Sequence, residues 1–307
     1  MSGSIGGDTS RITREYFDSL LVEMRHIDSV EPDLSLTLYG HKFKTPVMFA
    51  ALSHLDHVHP AGMTEAARGI VQAGAVMWAG MGDQAELDSI VGTGAKTIKI
   101  IKPYADEQVV LEKIEHAKRI GAIGVGMDVD HQFGSINSRG TVINIPMKPV
   151  TFEQLKKYVT AAGSLPFIVK GVLSVRDALK CVDAGVRGIV VSHHHGMVDY
   201  AVPPLMVLPD IVKAVNGAYP IFVDCGFERG LDVFKALALG ATAVSVGRAL
   251  MGPLGESGAD GVKSKIDAIN NELSWAMAVT ASKTIDTINA DVLHWQHTPP
   301  VGIQSFS

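Results

Sequence analysis

Three consecutive histidines, His193, His194 and His195, follow the apolar run Ile189, Val190, Val191 in the segment RGIVVSHHHGMVD. The run is too short for a helix and rich in β-branched residues, the pattern of a buried strand. Histidine takes and returns protons near neutral pH, so a triplet at a strand end points to acid–base chemistry. One or more of the three can equally be a packed or solvated ring. The triplet is internal and follows a strand, which separates it from a histidine tag. Lys170 closes a second apolar run, PFIVKG. A buried ammonium there needs an anionic partner or a shifted pKa. It reads as a cation facing an electron-rich cofactor, as a Schiff-base lysine, or as half of a salt bridge.

Two further segments have the composition of an anion site. Asp224 and Gly226 in FVDCGFERG, and Gly247 with Arg248 in SVGRAL, put tight turns ahead of helix starts. Backbone amides and an arginine in such turns suit a phosphate; a packing glycine and a surface ion pair are the plainer reading. His54, His57 and His59 have the composition of a metal site, but alternating histidines in a loop read better as solvated surface, and no metal is expected. Met77, Met81, Met127 and Met197 lie near strand ends, as pocket lining or ordinary core filling.

The elements that must position these residues follow a regular beat. Strand candidates fall at 46–51, 75–79, 97–101, 122–127, 166–169, 188–191, 220–223 and 242–246. Helical stretches such as 63–72, 108–119, 175–183 and 231–239 alternate with them and end at Gly74, Gly121, Gly185 and Gly240, the expected left-handed caps. Eight such units predict a single (β/α)8 barrel, with a doubly wound open sheet as the rival. Residues 1–40 form an extension with a helix at 13–25 and a small hairpin around Tyr39-Gly40. Residues 129–150 form a long active-site loop containing Gly134 and Gly140, and 261–307 a last helix (263–279) and tail. In such a barrel the active site lies at the carboxyl ends of the strands. Those ends carry Ser53, His54, Gly80, Lys102, Asp128, Asp130, Lys170, residues 192–195, Asp224, Gly247 and Arg248.

The chain has 307 residues, 47% hydrophobic and 19% charged, with a formal net charge of -5. That balance argues against a nucleic-acid surface. No apolar run spans a bilayer, no signal-peptide core is present, and Cys181 and Cys225 imply no disulfide framework. A cytoplasmic enzyme with a small-molecule substrate is expected.

From about Asp28 to Asp286, and most strongly from Pro166 to Leu250, the chain resembles the FMN-dependent α-hydroxy-acid oxidases and dehydrogenases. PFIVKGVLSVRDALKCVDAG is similar to the family's fifth strand, SHHHG falls on its Ser-Asn-His-Gly-Gly motif, and the stretch from LPDIVKAV to SVGRAL is similar to its phosphate-binding region. The resemblance implies FMN as cofactor, His194 as catalytic base, Asp128 as the aspartate that orients it, and Lys170 as the lysine near flavin N1 and O2. It also implies a cofactor shell of Ala51, Leu52, Ser53, Gly80, Ser192, Asp224, Cys225, Gly226, Arg229, Gly247 and Arg248, and a homo-oligomer, a tetramer.

The departures fall on substrate positions. Met197 stands where the family has the arginine that clamps the substrate carboxylate. Lys102 stands for a substrate tyrosine, Ile100 for a glutamine near the flavin, Gly126 for a threonine and Glu228 for an arginine of the phosphate loop. The expected substrate contacts are Lys102, His193, His195 and Met197. A bidentate clamp contributes both energy and geometry, so the expected substrate is hydroxy-acid-like but not simple glycolate or lactate. Two other classes stay open: a flavin-dependent isomerase or lyase without net redox change, and a non-catalytic flavin-binding protein.

Overall fold

A computed structural model describes residues 7–132, 141–142, 145–195 and 197–296. Eight parallel strands close into a barrel: β1 (Val47–Leu52), β2 (Met77–Ala79), β3 (Thr97–Ile101), β4 (Gly124–Asp128), β5 (Phe167–Val172), β6 (Gly188–Val191), β7 (Ile221–Val223) and β8 (Ala243–Val246). Each pairs with its sequence neighbours, and β8 pairs with β1 to complete the ring. The open-sheet alternative is therefore excluded. Nearly every strand residue is buried, as expected when helices cover the outer face and side chains fill the interior. Trp78 and Phe222, packed edge to face with centroids 5.2 Å apart, are among the largest wholly buried side chains.

The helices are α1 (Gly7–Ser19), α2 (Gly62–Ala73), α3 (Gln84–Gly92), α4 (Glu107–Arg119), α5 (Phe152–Ala162), α6 (Val175–Asp183), α7 (Pro204–Val215), α8 (Gly230–Ala238) and α9 (Met251–Val279). Gly74, Gly121, Gly185 and Gly240 all have positive φ. The N-terminal helix differs from expectation. It ends at Ser19 because Leu20–Val22 pairs antiparallel with Leu293–Trp295, a long-range contact that local periodicity does not reveal. The hairpin at Tyr39-Gly40 is present, with Leu36–Leu38 paired to His41–Phe43. Of the 129–150 loop, Val129–His131 is a 3-10 turn and Thr141–Val142 pairs with Ile145–Pro146; Gly134 and Gly140 lie outside the described residues. Among the described residues no helix is long and apolar enough to cross a membrane.

α1 is not a loose extension. Arg14 makes two bonds to the buried Asp232 of α8, at 2.9 and 3.1 Å, and Lys235 donates to the Phe17 carbonyl at 2.6 Å. These contacts dock α1 over the loop that follows β7.

Candidate active site

The carboxyl end of the barrel gathers a buried charge cluster. Lys102, one residue past β3, donates to Asp128 Oδ2 at 2.6 Å. Lys170 Nζ lies 3.2 Å from Asp128 Oδ1 and 3.4 Å from Asp224 Oδ2. All four are almost wholly buried. Burial alone would favour the neutral forms, but opposite charges at these distances outweigh it. Lys102 and Lys170, with His194, hold Asp128 well below the usual carboxylate range. Asp128, Asp224 and Asp130 hold Lys170 well above the usual lysine range. The lysine therefore stays charged.

The histidine triplet turns sharply at the end of β6. His194 and His195 both take left-handed backbone conformations, φ 50° and 56°. Consecutive non-glycine residues there cost about 1–3 kcal/mol each and persist only where the surroundings impose them. Ser192 Oγ accepts the His194 N–H at 3.1 Å, and His193 Nδ1 accepts the His195 N–H at 3.1 Å. The turn aims the His194 ring at Asp130, whose oxygens lie 3.1 and 3.2 Å from Nδ1, with Asp128 Oδ1 at 3.5 Å and Lys170 Nζ at 3.2 Å. His131 packs on the same ring, centroids 4.1 Å apart, and contacts Asp130 Oδ1 at 3.2 Å. Burial and Lys170 pull the His194 pKa down, but Asp128 and Asp130 prevail and raise it above the ordinary value. The side chain is 28% exposed and lines a cavity of about 300 Å³ with Lys170, Asp224, Gly226 and Arg248.

That cavity has a cationic floor at Lys170 and a rim of backbone donors. Within the described residues the N–H groups of Gly226, Phe227, Gly247 and Arg248 have no hydrogen-bond partner in the protein, and all four residues line the cavity. Such unpaired donors in turns form anion-binding concavities. Arg248 adds a guanidinium held by His195 Nδ1.

A family model described as FMN-dependent dehydrogenase matches residues 1–156 and 137–295. The chain belongs to the FMN-dependent dehydrogenase family. It is 30% identical over 313 residues to glycolate oxidase of Spinacia oleracea, covering 90% of this chain and 85% of that protein. It is 29% identical to L-lactate oxidase of Lentilactobacillus hilgardii over 319 residues, covering 93% and 86%. A solved structure of a mandelate oxidase variant with a monooxide FMN adduct superimposes with a TM-score of 0.83 at 29% identity, covering 95% of this chain and 93% of that one. This family member is accordingly an FMN-dependent oxidoreductase of the hydroxy-acid oxidase type.

The cofactor is FMN, and the residues present fit it. The unpaired amides at Gly226, Phe227, Gly247 and Arg248 suit its single phosphate, and the Lys170 ammonium suits the electron-rich end of the flavin. Glu228 also lines the rim, an acidic residue that would oppose a bound phosphate. Acid release followed by mass measurement is expected to recover FMN from the purified yellow protein. Recovery of FAD, or of no flavin from a folded preparation, would contradict the fit.

The sequence-predicted shell divides in two. Ala51, Leu52, Lys170, Asp224, Cys225, Gly226, Gly247 and Arg248 line the cavity with His194 and His195. Ser192 lies beneath it, its hydroxyl holding the turn. Ser53 and Gly80 are not among its lining residues. Gly80 is required by packing instead, since a Cβ would meet the Ala51 and Leu52 carbonyl oxygens at 2.7 and 2.8 Å. Arg229 does not line the cavity either; its half-exposed side chain leans toward Asp232 at 4.0 Å. Cys225 is buried against Asp224, and burial pushes its thiol pKa up.

The four expected substrate contacts fall in different surroundings. Lys102 is buried and donates to Asp128 Oδ2. His193 is 4% exposed, with Nε2 2.8 Å from Thr13 Oγ1 of α1 and Nδ1 accepting a backbone N–H. It secures α1 to the turn. Met197 lines a separate cavity beyond Asp130, with Gly171 and Val198. Only His195 opens on the cofactor cavity, beside Arg248.

Two residues acquire roles that sequence reading did not assign. Asp130 was one polar strand-end residue among many, and the turn that brings it back to His194 has no local signature. Lys99 on β3 read as part of an ordinary strand. It is buried, donates to the Gly80 and Gly82 carbonyls, and burial next to Lys113 lowers its pKa to about 7.

Proposed function

We propose that the enzyme oxidises the CH–OH group of a hydroxy-acid-like substrate, with His194 as base. The observation that carries this reading is the His194 ring itself. Its Nδ1 faces carboxylates while the partly exposed ring borders the cofactor cavity beside a charged lysine. The nitrogen left for a substrate is Nε2, which takes the proton from the substrate hydroxyl or α-carbon. The neighbouring carboxylates stabilise the imidazolium that results. FMN, when bound, accepts the two electrons. Lys170 holds a positive charge at the cavity floor, compensated by Asp128 and Asp224, and so favours added negative charge at that end.

The substrate preference follows from the positions of the charged side chains. Lys102 is tied to Asp128, and Met197 lies beyond Asp130, so neither offers a substrate carboxylate the two-point grip that arginine provides. The relatives named for glycolate and lactate act on small 2-hydroxy acids; this enzyme is expected to prefer a larger substrate with an apolar part. Anaerobic mixing with glycolate, L-lactate and mandelate, following loss of flavin absorbance, tests this. Slow bleaching with the first two and faster bleaching with mandelate is expected. Efficient turnover of glycolate or lactate below millimolar concentration would overturn the preference.

A further inference from the structure

We infer that Asp130, and not Asp128, is the positioning residue that sets the tautomer of His194, with the bulge at Gly171 making room for it. The inference rests on the reading of His194 as base. Asp128 is engaged at Oδ2 by Lys102 at 2.6 Å, while its Oδ1 makes no hydrogen bond and faces Lys170 only as an ion pair at 3.2 Å. Its approach to His194 is 3.5 Å. Asp130 brings both oxygens to 3.1 and 3.2 Å from Nδ1.

A competition at Nδ1 makes this choice consequential. Lys170 Nζ is 3.2 Å from the same nitrogen. If Lys170 donates to Nδ1, the neutral ring carries its proton on Nε2 and cannot accept one there. If Nδ1–H donates to Asp130, the Nε2 lone pair is free for the substrate. A carboxylate on the far nitrogen selects the second tautomer, and a wrong tautomer disables a base whose geometry is otherwise intact. Asp130 thus decides whether the ring can work as a base.

The backbone of β5 is shaped for this. The register of β5 against β6 shifts between Lys170 and Val172, and Gly171 between them has φ +94°. A Cβ at Gly171 would meet Asp130 Cγ at 2.6 Å and Oδ2 at 2.7 Å. The irregularity that ends β5 and presents Lys170 is the same one that leaves space for the carboxylate opposing it. The remaining charged or titratable groups around the ring are Asp128, Lys102, Asp224, His131, His193 and His195. Neither substitution below removes any of them.

Asp130→Ala removes the carboxylate. Gly171→Ala keeps every ionisable group and displaces it by contact, so the two variants approach the same hydrogen bond from opposite sides. The holoenzyme carrying 15N-labelled histidine reports the tautomer and titration midpoint of His194 directly, assigned by loss of its signal in His194→Ala. In both variants the neutral ring is expected to carry its proton on Nε2, and the midpoint to fall. Flavin reduction near neutral pH is expected to slow by about 10²-fold or more, with FMN retained. An unchanged tautomer and midpoint in Asp130→Ala would overturn the inference and return the role to Asp128. A tautomer switch with unchanged flavin reduction would support the role of Asp130 and count against His194 as base.

Discussion

Replacing His194 with alanine is expected to slow reduction of the bound flavin by substrate by about 10²- to 10⁴-fold, the usual contribution of a positioned acid–base group. The flavin itself should remain, because the cavity rim formed by Gly226, Phe227, Gly247 and Arg248 is untouched. His193→Ala acts differently. Its ring holds Thr13 of α1 and the His195 N–H, so its loss loosens the turn without removing the base. The pH dependence has a defined sign. A base works only when neutral, and Asp128 and Asp130 raise the His194 pKa against the opposing pull of burial and Lys170. The reduction rate is therefore expected to climb with pH through a midpoint above the ordinary histidine value of about 6.5. Stopped-flow traces across pH 5–9 for the unmodified enzyme and both variants provide the check. A mild effect at His194 with abolition at His193 would move the base by one residue.

Much of this architecture was legible because the barrel repeats one physical unit. The strands Thr97–Ile101 and Gly188–Val191 coincide with the apolar runs that announced them. Others begin one or two residues later than the runs do. Pro46, Pro166 and Pro220 sit just outside the ladders, where an imino nitrogen with no N–H has nothing to donate. The last helix starts at Met251 instead of 263, with a kink at Ser257 and Gly258. In the site, His194, Lys170 and Asp128 were legible as acid–base and charged residues at strand ends. Which of them touch was not. Lys102 and Met197 sit at positions that would face a substrate in the resembling family, yet Lys102 finds a carboxylate and Met197 falls on the other side of Asp130. Those outcomes depend on turns after β4 and β6 whose conformations are set by contacts across the barrel mouth. No local residue pattern encodes them.

The second large effect is expected at Asp232, far from the proton chemistry. Its side chain is wholly buried at the start of α8. It accepts two bonds from Arg14 of α1, at 2.9 and 3.1 Å, and the backbone N–H groups of Glu228 and Arg229, at 3.1 and 3.3 Å. One carboxylate thus joins the N-terminal helix to the loop whose amides would hold the FMN phosphate. Removing one partner of a fully buried ion pair costs about 3–5 kcal/mol, because the other charge is stranded. Arg14 is 31% exposed and also pairs with Asp18, so it can turn to water. The loss in Asp232→Ala is accordingly expected to be about 2–3 kcal/mol, the hydrogen bonds to a charged acceptor supplying most of it. Because the freed amides at 228 and 229 no longer fix the loop, FMN affinity should fall together with stability. Arg14→Ala should cost less, and the double variant little more than Asp232→Ala alone, since both remove the same bond. Denaturant unfolding of the three variants, with FMN retention measured on each, tests the coupling. Additive losses would show that Arg14 and Asp232 stabilise separate regions, and undiminished FMN binding in Asp232→Ala would show that the phosphate loop holds its shape without α1.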